Sequence, residues 1–310
     1  MDCELIRDAV RGRVSPFVEP TEPKPSTRFE SAETIEMRGY AGQQIRSFAD
    51  WEQRALPPER KARQWKEGRS EFELARSWTA SGAVAVPPEI MQVLDVLEGT
   101  RDTAIKSGRT QHETPLPFSD RAPRCHDLAL LAERYGWVTA SCVEAKADEP
   151  FGRTVAEELQ EARNRRGTRF PERLDWLTSS LLGIPAFRDA ERLELSDAVA
   201  DLRYQLFTAV AGTLIEAQAR QATKAILLVH EFRTRATVDA KLQDNAEALN
   251  RFLSLSYSHN GGPDEGVCLG HGEMLGPISV IERPIAGLPE VTSETPLFIG
   301  KIRTDRLAIV

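Results

Sequence analysis

The chain has few cysteines and no long apolar segment. Its four cysteines show neither a CxxC spacing nor a repeated interval, so neither a disulfide framework nor a zinc site is expected. No apolar run approaches the roughly 18 residues that cross a bilayer, and residues 1–13 lack the apolar centre of a signal peptide. We therefore expect a cytoplasmic protein that has no membrane partner.

Several common nucleotide-binding and hydrolase motifs are also missing. There is no GxxxxGK[ST] phosphate-binding loop and no GxSxG nucleophile elbow, and Gly270, Gly272 and Gly276 miss the GxGxxG spacing of dinucleotide-binding proteins. The sequence contains no internal repeat. The formal net charge of -7 does not by itself favour nucleic acid as a partner, but phosphate contacts depend on local charge.

Two clusters of basic residues stand out against that negative charge. One surrounds Trp65, between residues 60 and 69, and the other begins at residue 163. The predicted nucleic-acid contacts in the second cluster are Arg163, Arg165, Arg166 and Arg169. A solvated helix face is the alternative for both clusters.

Composition along the chain predicts an arm followed by one folded unit. Four prolines between residues 16 and 25 interrupt any periodic pattern, so residues 1–45 are expected to form a poorly ordered arm. Such an arm could bind a protein partner. The folded unit, residues 46–310, is divided into N-terminal helices at 46–110 and an α/β core at 111–310. With 41% hydrophobic residues the chain can bury a sizeable core.

Residues 125–152 have the spacing of a reaction centre. A tight turn at 135–136 between the runs 128–132 and 138–143 predicts an antiparallel hairpin in which Asp127 lies opposite Glu144. Lys146, two residues further, then projects from the same face of the sheet. A short helix beginning at Asp127 is the alternative, and in that case the two carboxylates need not meet.

Periodicity and capping signals place the remaining elements around this hairpin. Thr154 and Glu157 form a capping box, which starts a helix directly after it. Helices are expected at 47–56, 70–78, 87–99, 154–164, 171–183, 196–221 and 238–253, strands at 225–229 and 297–302, and a loop at 99–113.

A divalent cation or a proton between two carboxylates that face each other directly would relieve their repulsion. Hard cations such as Mg²⁺ and Mn²⁺ prefer carboxylate and carbonyl oxygens. The hairpin therefore predicts a Mg²⁺ (or Mn²⁺) site at Asp127 and Glu144, with the backbone carbonyl of Ala145 as a further ligand.

Asp127 followed by Glu144-Ala145-Lys146 resembles the D…(D/E)xK signature of the PD-(D/E)XK nucleases, the superfamily of restriction endonucleases. His126 stands where that signature has proline. The resemblance implies a restriction-endonuclease-like core, in which a central mixed sheet with an antiparallel catalytic hairpin is flanked by helices. It also implies a metal-dependent nuclease acting on DNA rather than RNA. Asp127 and Glu144 would be the metal ligands, and Lys146 would assist the attacking water.

The longer string VEAKADEPFG also resembles a bacterial family of no assigned function that carries VEAKxDEPFG. This narrower likeness extends from about Glu71 to the C-terminus, through residues 202–206 and 227–230. It adds no activity to the one that the nuclease signature implies.

Four further residues are candidates for accessory roles. Glu113 could supply a third acidic ligand from an upstream element. Arg203 and Gln205 lie on a predicted helix that could face the site, and His230 ends a buried strand, where the carboxyl ends of α/β strands often face ligands. The structural alternatives are helix capping and an ordinary strand end.

Two other functions stay open at this point. One is a non-catalytic nucleic-acid-binding or regulatory module of the same fold, and the other is a small-molecule or sugar-nucleotide enzyme with an unrelated metal–carboxylate site. The presence of Asp127, Glu144 and Lys146 together favours the nuclease over the module. A homodimer is compatible with the sequence, which identifies neither the nucleic-acid sequence recognised nor the mode of cleavage.

Overall fold

The computed structural model describes residues 35–101, 103–118, 123–259, 266–282, 291 and 294–306. Most of the predicted arm, residues 1–34, lies outside the described residues. The described chain has a mixed α/β architecture with a large mixed sheet flanked by helices, as the sequence predicts. No helix in these ranges is both long and apolar enough to cross a membrane.

The large sheet has the strand order β2-β1-β3-β4-β5-β8-β10-β9, and β6 and β7 form a separate pair. Strands β3, β4 and β5 are antiparallel neighbours, whereas β5, β8 and β10 run parallel. The strands are β1 Glu36–Arg38, β2 Gln44–Ile45, β3 Ile105–Thr114, β4 Arg124–Arg134, β5 Trp137–Lys146, β6 Phe187–Asp189, β7 Glu194–Leu195, β8 Lys224–Arg233, β9 Glu273–Ile278 and β10 Leu297–Asp305.

The helices of the described chain all lie between β2 and β9 in the sequence. They are α1 Phe48–Arg54, α2 Pro58–Gln64, α3 Ser70–Trp78, α4 Pro88–Leu94, α5 Val155–Arg163, α6 Phe170–Leu182, α7 Asp197–Ala200, α8 Tyr204–Ala219 and α9 Asp239–His259.

The sheet separates two apolar cores. Helix α8 packs on one face, where its Leu214 shares a core with Cys142 of β5. Helix α3 packs on the other face, where Trp78 shares a core with Val143. Because successive side chains of a strand point to opposite faces, the neighbours Cys142 and Val143 serve different cores. We call the two sides of the sheet the α8 face and the α3 face.

The hairpin forms as predicted, with β4 and β5 antiparallel and Leu128 opposite Val143. Its turn has positive φ at both central residues, 51° at Tyr135 and 82° at Gly136, as a two-residue turn of type I′ requires. Helix α5 follows directly, and both hydrogen bonds of the predicted capping box are present at its start. The predicted strand at 225–229 is confirmed as part of β8, which pairs in parallel with β5.

The predicted loop at 99–113 is wrong, because β3 occupies residues 105–114. Its sequence, IKSGRTQHET, contains a single strongly apolar residue, so it carries no alternating pattern. Backbone pairing with β1 and β4 makes it a strand instead. Gly108 permits this pairing, since a Cβ atom there would lie 2.9 Å from side-chain atoms of Leu130 and Met37. Strands β1 and β2 also draw residues 36–45, predicted as part of the arm, into the sheet.

The predicted helix at 196–221 is interrupted before residue 204. There the backbone N–H of Val155 donates to the carbonyl of Leu202 at 2.8 Å, and the N–H of Tyr204 donates to the carbonyl of Arg153 at 3.1 Å. These bonds join the break to the start of α5. In an uninterrupted helix the carbonyl of Leu202 and the N–H of Tyr204 would bond within that helix. The bonds to the start of α5 replace those partners and fix the residue at which α8 begins.

Candidate functional site

The alternation of β4 side chains between the two faces of the sheet is broken at Asp127. Leu128 and Leu130 belong to the core of the α3 face. His126 lies instead on the α8 face, since a Cβ atom on Gly212 of α8 would come within 2.6 Å of its Nε2. Regular alternation would have put His126 and Leu128 on the same face, so the reversal falls between them.

The alternation of side chains in the neighbouring strand β3 is broken at the same level. Thr110 pairs with Leu128, and His112 pairs with His126, so the register is kept through the irregularity. Between these pairs Gln111 has φ of 47°, a left-handed conformation that non-glycine residues rarely adopt. The two strands thus turn together, which brings side chains from β3 and β4 towards α8 at this level.

This reversal separates the two carboxylates that the sequence predicts to face each other directly. The regular ladder between β4 and β5 ends at Leu128 and Val143. Beyond it, Oδ2 of Asp127 accepts a hydrogen bond from the backbone N–H of Ala145 at 2.8 Å. Glu144 has its own partners on the α8 face. Asp127 and Glu144 therefore lie at the same end of the hairpin without forming the predicted cross-strand pair.

Glu144 is only 1% exposed and is surrounded by donors. The Arg124 guanidinium contacts its Oε1, and Nε2 of Gln205 donates to its Oε2 at 2.8 Å. Nζ of Lys146 lies 3.8 Å from the same Oε2. A carboxylate in so dry a setting needs this compensation, because an unpaired buried charge is costly. One guanidinium, one ammonium and one amide thus surround the Glu144 carboxylate.

Arg124 and His126 complete this cluster from β4. Burial lowers the pKa of Arg124. Burial, and then the nearby charges of Arg124 and His112, lower the pKa of His126 well below its usual range, so the ring is neutral. Neither nitrogen of the His126 ring has a hydrogen-bond partner in the described part of the chain. The position that holds proline in the nuclease signature thus carries a neutral imidazole packed against α8.

Lys146 is buried at the carboxyl end of β5. Burial lowers its pKa, and the negative charges of Asp127 and Glu149 partly oppose that shift. Its Nζ donates to the carbonyl of Ala145 at 3.2 Å and lies 5.5 Å from the centroid of the Phe151 ring. A lysine with a lowered pKa releases its proton at a lower pH than a surface lysine does, and the two nearby acids favour its charged form.

A further acid, Glu71 of α3, lies close enough to Asp127 for their charges to interact. Burial, and then the charge of Asp127, raise the pKa of Glu71 to about 8. Hydrogen bonds from Trp51 and Gln111 to its two oxygens, at 3.1 and 3.0 Å, oppose the shift in part. Glu71 is therefore mostly protonated at neutral pH and does not add a second negative charge next to Asp127.

Sequence reasoning missed Glu71, although a signal was available. The residue lies three, four and seven positions before Leu74, Ala75 and Trp78, which are all buried on α3. An acid in phase with the apolar stripe of a helix is a buried acid. Such a residue is a candidate for a shifted pKa and for a place in a site.

Replacing Glu71 with Gln should flatten the pH dependence of stability between about pH 4.5 and pH 8. The folded state holds the Glu71 proton over this interval, with a pKa of about 8, whereas the unfolded state releases it near 4.5. The wild-type free energy of unfolding should therefore fall as the pH rises from 4.5 to 8 because of this group. Urea unfolding at several pH values measures the difference. The control is Glu67→Gln, an acid that is 79% exposed, which should leave the slope unchanged. An unaltered slope in Glu71→Gln would contradict the assignment.

The structure places one of the four accessory candidates in the cluster. Gln205, near the start of α8, contacts Glu144. Arg203 donates instead to the carbonyl of Gly152 at 3.0 Å and supports the loop after β5. His230 is paired with Ala145 and bonds to Thr304 at 2.8 Å, so it lies on the α3 face. Glu113 is exposed on β3, where its pairing partner is Cys125.

The four arginines proposed as nucleic-acid contacts lie at and after the end of α5. Arg163 and Arg166 are exposed, and Arg165 is half-buried. Arg163 donates to the carbonyl of Leu193 at 3.0 Å. Arg169 pairs with Glu172 and lies 4.3 Å from the centroid of the Phe118 ring. Two of the four thus have structural contacts, and their role in phosphate binding stays a prediction.

No curated protein and no solved structure matches this chain. A family model, described as a domain of unknown function, matches residues 44–306. The matched range includes all of the site residues described above. The chain therefore belongs to this family, the domain of unknown function DUF6946.

Proposed function

We propose that the protein is a metal-dependent nuclease that hydrolyses phosphodiester bonds, in DNA rather than RNA. The observation that carries the proposal is the burial of Glu144 and Lys146 together at the carboxyl end of β5, with Asp127 at the facing end of β4. These are the three residue types of the D…(D/E)xK signature. The element order is also the one that a restriction-endonuclease-like core would have, with β3, β4 and β5 followed by helices, the last of them α8, and then by β8 parallel to β5.

The oxygen atoms at this end of the hairpin suit a Mg²⁺ or Mn²⁺ ion. The carboxylates of Asp127 and Glu144 and the carbonyl of Ala145 are hard donors, which these cations prefer. In the described part of the chain, no group of three His, Cys, Asp or Glu side chains could hold a metal, so the backbone carbonyl would be an essential third ligand. When bound, the ion would polarise the phosphodiester and lower the pKa of a bound water.

The side chains around Glu144 prepare this site. Gln205 fixes the orientation of the Glu144 carboxylate through the bond to Oε2. Arg124 balances the negative charge of Glu144 before a cation binds. Lys146 can orient the attacking water or hold a proton at Nζ while charge builds on the phosphate oxygens. Glu144 and Lys146 are buried away from bulk water, which strengthens each of these interactions.

The test of this function is cleavage by the purified protein. Plasmid, single-stranded DNA and RNA are incubated with Mg²⁺ or Mn²⁺, beside samples containing EDTA. We expect metal-dependent cleavage that Asp127→Asn reduces by about 100-fold or more, since the substitution removes a charged ligand. Asparagine can still accept the bond from Ala145, so the strand end should keep its structure. Glu113→Gln, an exposed carboxylate on β3, is the matched control and should cleave normally. No cleavage of any substrate with either metal would contradict the proposal.

The same cluster supports a second candidate, a nucleic-acid-binding module that does not cleave. The observation in its favour is that Arg124, Gln205 and Lys146 surround Glu144. A structural ion-pair network has this same arrangement. Binding of nucleic acid in EDTA without cleavage in Mg²⁺ or Mn²⁺ would select this candidate.

A further inference from the structure

The turn of the hairpin carries a second feature, at the end of the sheet opposite the candidate site. Trp137 begins β5 and Glu144 lies seven residues later, which corresponds to about 23 Å along the strand. Tyr135 and Trp137 are 79% and 58% exposed. Exposed apolar surface that is contiguous often marks a binding site, and both residues line the same groove.

A groove lies against these two aromatic residues. Its volume is about 180 Å³. Sites for drug-sized ligands begin at roughly 300 Å³, so the groove has room for one planar ring and not for a whole molecule of that size. The side chains lining it include Arg101, Arg134 and Lys224 as cations and Glu133 as the acid. The described lining therefore carries three positive charges and one negative charge, a local excess of two, in a chain whose net charge is -7.

The two aromatic residues belong to the turn and to the first position of β5. Tyr135 has φ of 51°, a conformation that turns of this type usually assign to Asn, Asp or Gly. The Arg134 guanidinium lies 5.0 Å from the centroid of the Tyr135 ring. On the other side, Lys224 is the pairing partner of Thr139 in the parallel ladder between β5 and β8. The aromatic residues of the turn and the cations of neighbouring strands thus lie around one groove.

We propose that this groove, the hairpin-tip groove, binds one unpaired nucleotide of a nucleic-acid strand. The base would stack on Trp137 and Tyr135, and the adjoining phosphate would contact Arg101 and Lys224. Aromatic rings beside a positively charged groove are the combination by which proteins hold single strands with little sequence preference. The inference rests on the proposed function for its substrate class. It adds that the substrate has an unpaired segment anchored about 23 Å from the cleavage site, the length of β5 between Trp137 and Glu144.

Binding in EDTA tests the groove separately from the chemistry. The probe is a fluorescently labelled oligothymidylate of 15 nucleotides, and the measurement is anisotropy at several salt concentrations. Trp137→Ala should raise Kd by roughly 5- to 150-fold, the usual effect of losing one base–aromatic stack. Arg101→Gln should make the slope of log affinity against log salt shallower by about 0.7. The controls are Val238→Ala, at a residue that is 54% exposed, and Arg188→Gln, an exposed arginine on β6.

Several results would overturn the proposal. One is a wild-type protein that does not bind the oligonucleotide, and another is a Trp137→Ala variant whose Kd equals that of Val238→Ala. A third is a wild-type dimer in analytical ultracentrifugation that Trp137→Ala converts to a monomer without a change in Kd, since the groove would then be an interface between two copies. Oligonucleotide binding that depends on Trp137, in a protein that cleaves nothing in Mg²⁺ or Mn²⁺, would keep this inference and reject the nuclease.

Discussion

Replacing Glu144 with Gln is expected to lower the free energy of unfolding by about 3–5 kcal/mol in the absence of metal, the usual cost of breaking a buried ion pair. The sequence leads to the opposite expectation, because one of two repelling carboxylates would be removed. In the structure the dominant neighbour of Glu144 is the Arg124 guanidinium, which is 11% exposed. Without Glu144 this buried cation loses the carboxylate that it contacts, and only the charge of Asp127, among the acidic side chains that act on it, still opposes its desolvation cost.

The measurement is urea unfolding of the metal-free protein. A double-mutant cycle with Arg124→Met isolates the pair, since each single variant leaves one member of the pair without the other and the double variant removes both. The double variant should therefore be more stable than Glu144→Gln alone. A Glu144→Gln protein as stable as wild type would show that the contact between Arg124 and Glu144 contributes little. The charge of Glu144 would then have to be balanced by Lys146.

Replacing Lys146 with Ala is expected to reduce cleavage by about 100- to 1000-fold while metal binding is kept. The lysine would act on the attacking water or on the charge that develops at the phosphate, and groups of this kind contribute in that range. It is not a metal ligand. Mg²⁺ should therefore still raise the free energy of unfolding of the variant, by about 2.7 kcal/mol at one hundred times the dissociation constant. In Asp127→Asn the same stabilisation should be lost.

Two controls separate chemistry from packing in this experiment. Lys146→Met keeps most of the apolar stem beside Phe151 and should lose as much activity as the alanine variant. Lys241→Ala removes a lysine that contacts the neighbouring loop through the carbonyl of Asp148, and its activity should stay close to wild type. If Lys146→Met cleaved at the wild-type rate, the lysine would have a packing role only and the mechanism proposed for it would be wrong.

Local chemistry determined the parts of this fold that the sequence reveals. The hairpin can be predicted from the sequence because a two-residue turn fixes the register of the two strands. The pairing of Leu128 with Val143 follows from the turn alone. Helix α5 is readable because Thr154 and Glu157 satisfy each other's backbone donors within four residues. A run of apolar residues was enough to identify β8. In each case the interacting groups are close in the chain.

Long-range pairing decided the rest. Strand β3 has almost no apolar pattern and exists because β1 and β4 offer it backbone partners. The reversal at Gln111 and Asp127 turns His126 towards α8 and replaces the expected pair of opposed carboxylates. The neighbours of the two acids, Gln205 for Glu144 and Glu71 for Asp127, come from helices 61 and 56 residues away. The sequence by itself determined which residues lie at the end of the hairpin. Only the tertiary structure decided how their charges are balanced, because burial and the choice of partner depend on elements that meet after the chain has folded.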